Sequence, residues 1–185
     1  AARCYALPRE LVEAHALRRF GFHGINHANV MRRCAETLGR PPSALRIVSC
    51  HLGAGASLAA ISGGRSVDTT MGLTPLEGLV MATRAGDLDP GVLLRLLRDA
   101  GLGADGLAQV LHHESGLLAL AGTADMSSIE RRAVAGDARC GFALEVYVHR
   151  LRRYIGAMAA AMNGVDVVAF TGGVGEHSVA VRDRA

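Results

Sequence analysis

Two apolar runs end in glycine-rich turns, and these turns carry the most informative chemistry of the chain. Residues 45–52 lead into a first glycine turn (residues 53–55, Gly-Ala-Gly), and residues 165–171 lead into a second (residues 172–175, Gly-Gly-Val-Gly). Such apolar runs are typical of buried strands, and glycine lets backbone N–H groups turn toward an anion. Two such turns predict a nucleotide held from two sides.

One arginine is a candidate for contacting phosphate. Arg84 lies in the segment 83–90, close to Asp87 and Asp89. A loop arginine flanked by acids is usually a solvated ion pair, but its planar guanidinium also fits the oxygens of a transferring phosphoryl group. The residues leave both interpretations open. Because the chain has no lysine, a Walker A loop is excluded.

Other motif-like patterns do not predict sites. His23 and His27 have the spacing of a metal pair, but the glutamate of H-E-x-x-H is missing and Gly24 weakens the helix that such a pair needs. His112 and His113 are expected to be exposed at a helix end. The G-x-G-x-x-G pattern at 101–106 follows a helix rather than a strand, which indicates a turn between helices.

The composition predicts one globular domain. The chain has 185 residues, of which 50% are hydrophobic and 20% are charged, enough for a sizeable core. A net charge of +3 is too small to argue for nucleic acid. The four cysteines form no C-x-x-C pair and are expected to be free thiols in a reducing cytoplasm. No apolar stretch is long enough to span a bilayer, and we expect both ends to be cuts within a larger protein.

The order of elements is typical of an α/β fold. The expected strands are 18–22, 45–52, 57–61, 65–69 and 165–171, and the middle three form an antiparallel meander with a hairpin at Ser62-Gly63-Gly64. The expected helices are 8–16, a helix N-capped by Asn26 and ending at Gly39, 92–100 with Pro90 in its first turn, 106–113 and 133–163. The long segment 72–89 is expected to be a functional loop.

Six segments, in this order and spacing, resemble the acetate kinase family, and the match covers essentially the whole chain. They are 18–24, 51–57, 66–78, 83–90, 114–118 and 170–176. The resemblance implies an α/β fold of the ribonuclease H-like, actin-like ATPase type, with a mixed sheet and flanking helices. It also implies that residues 1–185 are a partial C-terminal nucleotide-binding domain, with the N-terminal domain and the extreme C-terminus absent.

The resemblance also assigns roles to residues. His23 and Arg84 are catalytic and stabilise the transition state, and Phe22 and Pro75 line the pocket for the acyl methyl group. The nucleotide, ATP or ADP, contacts His51, Leu52, Gly53, Ala54 and Gly55, then Asp125, Met126 and Ser127, then Gly173, Val174, Gly175, Glu176 and His177. No metal ligand is expected in this chain, since the Mg²⁺ ligands of the family lie outside it.

The implied function is an acetate kinase-like phosphotransferase that converts ATP and acetate to ADP and acetyl phosphate, reversibly, with propionate or butyrate as other acceptors. The implied protein is a cytoplasmic homodimer that binds neither nucleic acid nor membrane. These 185 residues alone are expected to have negligible activity.

Three positions depart from the family pattern. Ala54 stands where asparagine is usual, Ser127 where arginine is common, and His177 where asparagine is usual. Ala54 favours an alternative interpretation, in which the chain is a non-catalytic nucleotide-binding or structural remnant. A sugar kinase is a third interpretation, but it needs a base to deprotonate a hydroxyl, and these segments offer arginine and histidine instead.

Overall fold

The chain folds around one mixed sheet. The computed structural model describes residues 1–185. The strands are β1 (Arg46–Leu52), β2 (Ala56–Ser62), β3 (Arg65–Thr69) and β4 (Val167–Thr171), in the order β3-β2-β1-β4. β1 pairs with β2 and β2 with β3 in antiparallel fashion, whereas β1 and β4 are parallel. The predicted meander and the α/β class with a mixed sheet are confirmed.

Nine α-helices surround the sheet. They are α1 (Arg9–Ala14), α2 (Gly24–Leu38), α3 (Pro90–Asp99), α4 (Ala104–Gln109), α5 (Gly116–Ala121), α6 (Met126–Val134), α7 (Ala138–Ala161), α8 (Gly172–His177) and α9 (Val179–Arg184). A 3₁₀ turn covers Pro42–Ala44, and a π-helical turn covers Val110–Glu114. None of these helices combines the length and the apolar character needed to cross a membrane.

Alternate side chains of β1 supply the two faces of the sheet. Val48, Cys50 and Leu52 join the main core, which α5, α6 and α7 complete. Ile47 joins a smaller cluster on the other face, beneath α2. Since side chains alternate along a strand, residues 49 and 51 also lie on the α2 side. Histidines of α2 can therefore meet polar groups of the sheet.

Four sequence-based expectations about elements are corrected. Residues 18–22 form no strand; instead the Arg19 guanidinium bonds the carbonyls of Thr69 and Thr70 and pairs with Glu77. The first residue of α2 is Gly24, so Asn26 lies inside the helix and does not cap it. The remaining two corrections concern helices.

The predicted helix 133–163 is two helices, α6 and α7. Gly136 interrupts it at a φ of +92°, and Asp137 then caps α7 by accepting from the N–H groups of Arg139 and Cys140. The predicted helix 106–113 starts at Ala104 and passes into the π-helical turn at Val110. The pattern at 101–106 covers the turn between α3 and α4 and the first residues of α4, and it follows a helix as expected.

Candidate active site

The two glycine turns are in direct backbone contact. β1 and β4 are parallel neighbours, with His51 opposite Thr171, so their carboxyl ends meet at one edge of the sheet. Gly172 has a φ of +79°, and a Cβ there would lie only 2.7 Å from the Leu52 carbonyl oxygen. Only glycine combines that conformation with that approach. The sequence placed these turns far apart, and the fold joins them.

A cavity of about 670 Å³ opens beside the two turns. It is lined by three of the segments that the resemblance assigned to the nucleotide, through Gly53, Ala54, Asp125, Met126, Ser127, Gly173, Val174 and His177. Tyr147 and Glu130 complete part of the wall. The volume is in the range of small-molecule sites, and its lining comes from segments distant in sequence.

Not every expected nucleotide residue lines that cavity. Leu52 and Gly175 are buried beneath the turns. The Glu176 carboxylate accepts from the Gly172 N–H at 3.2 Å and lies at a second cavity, of about 540 Å³, between α2 and β4. Glu176 thus holds the second glycine turn from behind.

Pro75 does not line the cavity to which Phe22 contributes. Phe22 lines a space of about 280 Å³ with Phe20 and Met31, and it packs against the main core. The Pro75 carbonyl instead accepts from Arg84 Nη1 at 3.0 Å. The structure connects Pro75 to the arginine rather than to Phe22.

Arg84 and His23 converge on the first glycine turn. A Cβ added at Gly55 would lie 3.4 Å from Arg84 Nη2 and 3.7 Å from His23 Cε1. The guanidinium and the imidazole therefore share one face of that turn. Both side chains are half-buried.

The guanidinium of Arg84 has no carboxylate partner. None of the ion pairs in the chain includes it. Asp87 is engaged by Arg150, by the Tyr154 hydroxyl and by the Gly78 N–H, and Asp89 caps α3. Of the two interpretations that the sequence left open, the structure removes the ion pair and leaves a positive charge unneutralised at the turn.

The backbone around Arg84 is fixed by the start of α5. Ser115 N–H bonds the Thr83 carbonyl at 3.0 Å and Leu117 N–H bonds the Met81 carbonyl at 2.9 Å. Between them, Gly116 has a φ of +63°, and a Cβ there would lie 2.7 Å from Arg84 O and 2.8 Å from Arg84 N. The position of the guanidinium therefore depends on a glycine outside the predicted site.

Three histidines form a cluster next to Arg84. His23 occupies the N-cap position, directly before α2, at a φ of +59°, an uncommon conformation for a residue with a side chain. Its ring stacks on His51 with centroids 4.1 Å apart. His27, one helical turn on, is buried between two serines: its Nδ1 lies 2.8 Å from Ser49 Oγ and its Nε2 lies 2.8 Å from Ser57 Oγ.

The cluster is electrostatically biased toward neutral rings. Burial lowers the pKa of His27 to about 4, helped by His23 and His51. Burial also lowers the pKa of His23, with further lowering from His51 and Arg84, and burial lowers the pKa of His51. All three imidazoles are therefore mainly uncharged near pH 7.

Sequence reasoning missed the partners of these histidines. Asn26 donates to His51 Nδ1 at 3.0 Å and to the Thr171 hydroxyl at 2.8 Å, which ties α2 to both strands of the site. One signal was available: His23 and His27 share a helix face, while residues 49, 51 and 57 share a sheet face. Nothing in the sequence predicted that this helix face packs on this sheet face.

The rim at Asp125 is built by α6. The Asp125 carboxylate caps that helix by accepting from Ser128 N–H at 3.0 Å. Ser127 Oγ accepts from Arg131 Nη1 at 2.9 Å, so a guanidinium lies beside the position where the family pattern often has arginine. At Ala54 the backbone carbonyl accepts from Ala82 N–H at 3.1 Å, which fixes the turn without a side chain.

No group of three or more His, Cys, Asp or Glu side chains in the chain is arranged to hold a metal ion. Both ring nitrogens of His27 are already bonded to serines, which removes the zinc pair considered from spacing.

Comparison of the sequence with known proteins gives the family of the chain. The chain is 52% identical over 185 residues to an acetate kinase of Streptomyces griseus and 52% identical over 179 residues to one of Clostridioides difficile. It covers 45% of the length of each, so it spans less than half of these relatives.

Solved structures of acetate and propionate kinases also superpose closely on this chain. The crystal structure of Porphyromonas gingivalis acetate kinase superposes with a TM-score of 0.97 at 44% identity, over 99% of this chain and 46% of that one. A propionate kinase of Francisella tularensis gives 0.94 at 35% identity, over 98% and 47%. The sequence model described as the Acetokinase family matches residues 1–185, and the chain belongs to that family.

Proposed function

We propose that this chain carries the nucleotide-binding part, and two catalytic residues, of a phosphotransferase that converts ATP and acetate to ADP and acetyl phosphate reversibly. The observation that supports it most is the convergence of the unpaired Arg84 guanidinium and the His23 imidazole at Gly55, beside a cavity lined by both glycine turns.

The reaction needs charge and alignment rather than a base. A carboxylate has a reference pKa near about 4, so it is already a nucleophile at neutral pH. The barrier lies in bringing this anion to a phosphoryl group whose equatorial oxygens are also negative. Arg84 offers two N–H donors at that point, and His23 donates in either protonation state.

The nucleotide is proposed to lie in the 670 Å³ cavity, with its phosphates between the two glycine turns and its adenosine toward residues 125–127. Backbone N–H groups of the turns then face the phosphates, and His51 and His177 stand at their edges. Phe22 and Pro75 remain the proposed contacts of the acyl group, and acetate, propionate and butyrate stay open because one methylene changes binding by only about 1–3 kcal/mol.

Calorimetric titration with ATP and with ADP tests the nucleotide part. Arg84→Gln is expected to weaken ATP binding by about 10- to 100-fold, the effect of losing a charge-assisted hydrogen bond, and to weaken ADP binding much less. Arg98→Gln removes the same charge from an exposed position on α3 and should leave both affinities unchanged. Equal loss of ATP and ADP binding in Arg84→Gln would contradict the assignment to the transferring group.

The same titration separates the catalytic proposal from a structural remnant. Ala54→Asn restores the amide of the family pattern at the cavity rim. If neither the natural chain nor this variant binds nucleotide, only a structural role is left. A coupled assay with ATP and acetate is expected to detect negligible turnover from these 185 residues, since the resemblance puts further catalytic groups outside them.

Self-association and a cytoplasmic location complete the proposal. The resemblance motivates both. α3 leaves Val92, Leu94 and Leu97 exposed at 43%, 58% and 40%, an apolar set that a second copy would cover. Sedimentation equilibrium tests this: a concentration-independent monomer would contradict it.

A further inference from the structure

A buried hydrogen-bond chain leads from the sheet to the candidate catalytic histidine. It consists of Ser49, His27, Ser57 and His23 and is called the serine–histidine chain below. Its distances are 2.8 Å from Ser49 Oγ to His27 Nδ1, 2.8 Å from His27 Nε2 to Ser57 Oγ, and 2.9 Å from Ser57 Oγ to His23 Nδ1. The Nε2 atom of His23, at the open end of the serine–histidine chain, makes no hydrogen bond within the protein.

One hydroxyl proton links the two imidazoles. Ser57 Oγ lies between His27 Nε2 and His23 Nδ1, and a hydroxyl can donate only one hydrogen bond. Ser57 is fully buried, and its hydroxyl contacts only these two ring nitrogens. If it accepted from both rings, its own proton would be left without an acceptor in the interior, which is unfavourable. It therefore donates to one ring and accepts from the other, so that, when both rings are neutral, the position of the proton on His27 dictates its position on His23.

Only two arrangements satisfy all three bonds and also give the buried Ser57 proton an acceptor. In the first, Ser49 donates to His27 Nδ1, His27 Nε2–H donates to Ser57, and Ser57 donates to His23 Nδ1, so His23 carries its proton on Nε2. In the second, every donor is reversed, and His23 carries its proton on Nδ1 and presents a bare Nε2.

Ser49, at the buried end of the serine–histidine chain, decides between the two arrangements. Ser49 is fully buried, and its hydroxyl has His27 as its one side-chain partner. In the second arrangement the Ser49 hydroxyl accepts from His27, and its own proton is left without an acceptor in the interior, which is unfavourable. In the first arrangement that proton is bonded.

We propose that the serine–histidine chain holds His23 as the Nε2–H tautomer, so that a neutral imidazole donates a hydrogen bond to an anionic oxygen at the first glycine turn. Ser49, His27 and Ser57 are positioning residues that act through His23. The identity of the anion, a phosphoryl oxygen, rests on the proposed function, whereas the tautomer does not.

The tautomer of His51, the second histidine at the first glycine turn, is also set by the hydrogen-bond partner of its Nδ1 atom. The Thr171 hydroxyl donates to the Cys50 carbonyl at 3.5 Å and accepts from Asn26 Nδ2. The same amide nitrogen donates to His51 Nδ1, which leaves the proton of a neutral His51 on Nε2, 3.7 Å from where a Cβ of Gly53 would lie. Two stacked, uncharged rings thus direct N–H groups toward the turn, with Arg84 as the cation there.

Long-range ¹H–¹⁵N NMR of the histidine side chains tests the proposal directly, because the protonated and bare ring nitrogens have well-separated shifts. In the natural chain without ligand at pH 7.5, we expect His23 and His27 each to show a protonated Nε2 and a bare Nδ1. A His23 with its proton on Nδ1 would overturn the proposal, whatever the activity of the protein.

Variants then test whether the serine–histidine chain, rather than local packing, sets the tautomer of His23. Ser57→Ala should convert His23 from one predominant tautomer to a mixture, with at least a fivefold fall in the ratio of Nε2–H to Nδ1–H. Ser62→Ala removes a hydroxyl from the same strand but outside the chain and should change nothing. An unchanged His23 in Ser57→Ala would show that Ser57 does not position it.

The spectra remain informative if Ser57→Ala does not fold, because the natural chain alone distinguishes the two arrangements. They also separate this inference from the proposed function. The predicted tautomers with no nucleotide binding would leave the hydrogen-bond chain standing and remove its proposed ligand. Nucleotide binding with a His23 Nδ1–H tautomer would do the reverse.

Discussion

Gly116→Ala is expected to destabilise the chain by displacing the Arg84 backbone. Gly116 has a φ of +63°, and an added Cβ would contact the Met81 carbonyl oxygen and lie 2.7–2.8 Å from two backbone atoms of Arg84. Backbone cannot move aside as a flexible side chain does. The whole segment 81–84 must shift, or α5 must separate from it.

The expected magnitude has two parts. Placing alanine in the left-handed conformation costs about 1–2 kcal/mol, and overpacking against fixed atoms costs about 1–3 kcal/mol more. Gly122 provides a matched control, because it ends the same helix at a φ of +74° with nothing within 4 Å of its Cβ position. Gly122→Ala therefore carries only the first part, and any gain from a stiffer unfolded chain is common to both variants.

Urea unfolding of both variants measures the difference. We expect Gly116→Ala to lose about 1–3 kcal/mol more than Gly122→Ala, and only Gly116→Ala to lose ATP affinity because the guanidinium moves. Equal losses of stability would refute the reasoning, since they would mean that the contact with Arg84 contributes nothing. Greater loss in stability with ATP affinity intact would refute the link to the site.

Two further predictions concern buried groups. The Tyr147 hydroxyl is the one buried side-chain polar atom without a partner, so Tyr147→Phe should raise the free energy of unfolding by about 1 kcal/mol. Tyr154→Phe loses a bond to Asp87 and should lower the free energy of unfolding. Urea unfolding checks both variants, and a less stable Tyr147→Phe would contradict the first prediction. Burial holds the pKa of folded-state His27 at about 4, below the unfolded value of about 6.5. The stability that the neutral ring contributes is therefore complete above the unfolded pKa and is lost as the pH falls toward the folded pKa. Between pH 7.5 and 5 the loss should be about 2 kcal/mol, and a His27→Gln variant should be much less sensitive to pH over that interval.

The antiparallel meander of β1, β2 and β3 followed from local pattern, whereas the place of β4 beside β1 did not. The apolar runs, the hairpin glycines and the glycines after β1 and β4 are signals within a few residues of each other. The helix 133–163 was joined in error because its apolar spacing continues across Gly136, and periodicity does not register a single left-handed residue. The strand at 18–22 was wrong because Arg19 makes its contacts with residues about 50 positions away.

The candidate site was predictable only in part, for the same reason. Arg84 was open between two interpretations because nothing local says that Asp87 turns toward Arg150 and Tyr154. The resemblance supplied roles for His23 and Arg84 but not for Ser49, Ser57, His27 or Asn26. Those residues matter through which helix face lies on which sheet face, and that is fixed by packing rather than by spacing.

The contact between Gly172 and the Leu52 carbonyl has a consequence for how a ligand enters. The distance between the two turns is set by the pairing of β1 with β4, so binding does not have to order either loop, and that entropic cost is met when the chain folds. If a nucleotide binds there as proposed, the opening that admits or releases it would come from the other walls of the cavity, which include residues 124–127. Substitutions that loosen the start of α6 should change rates of exchange more than they change equilibrium affinity.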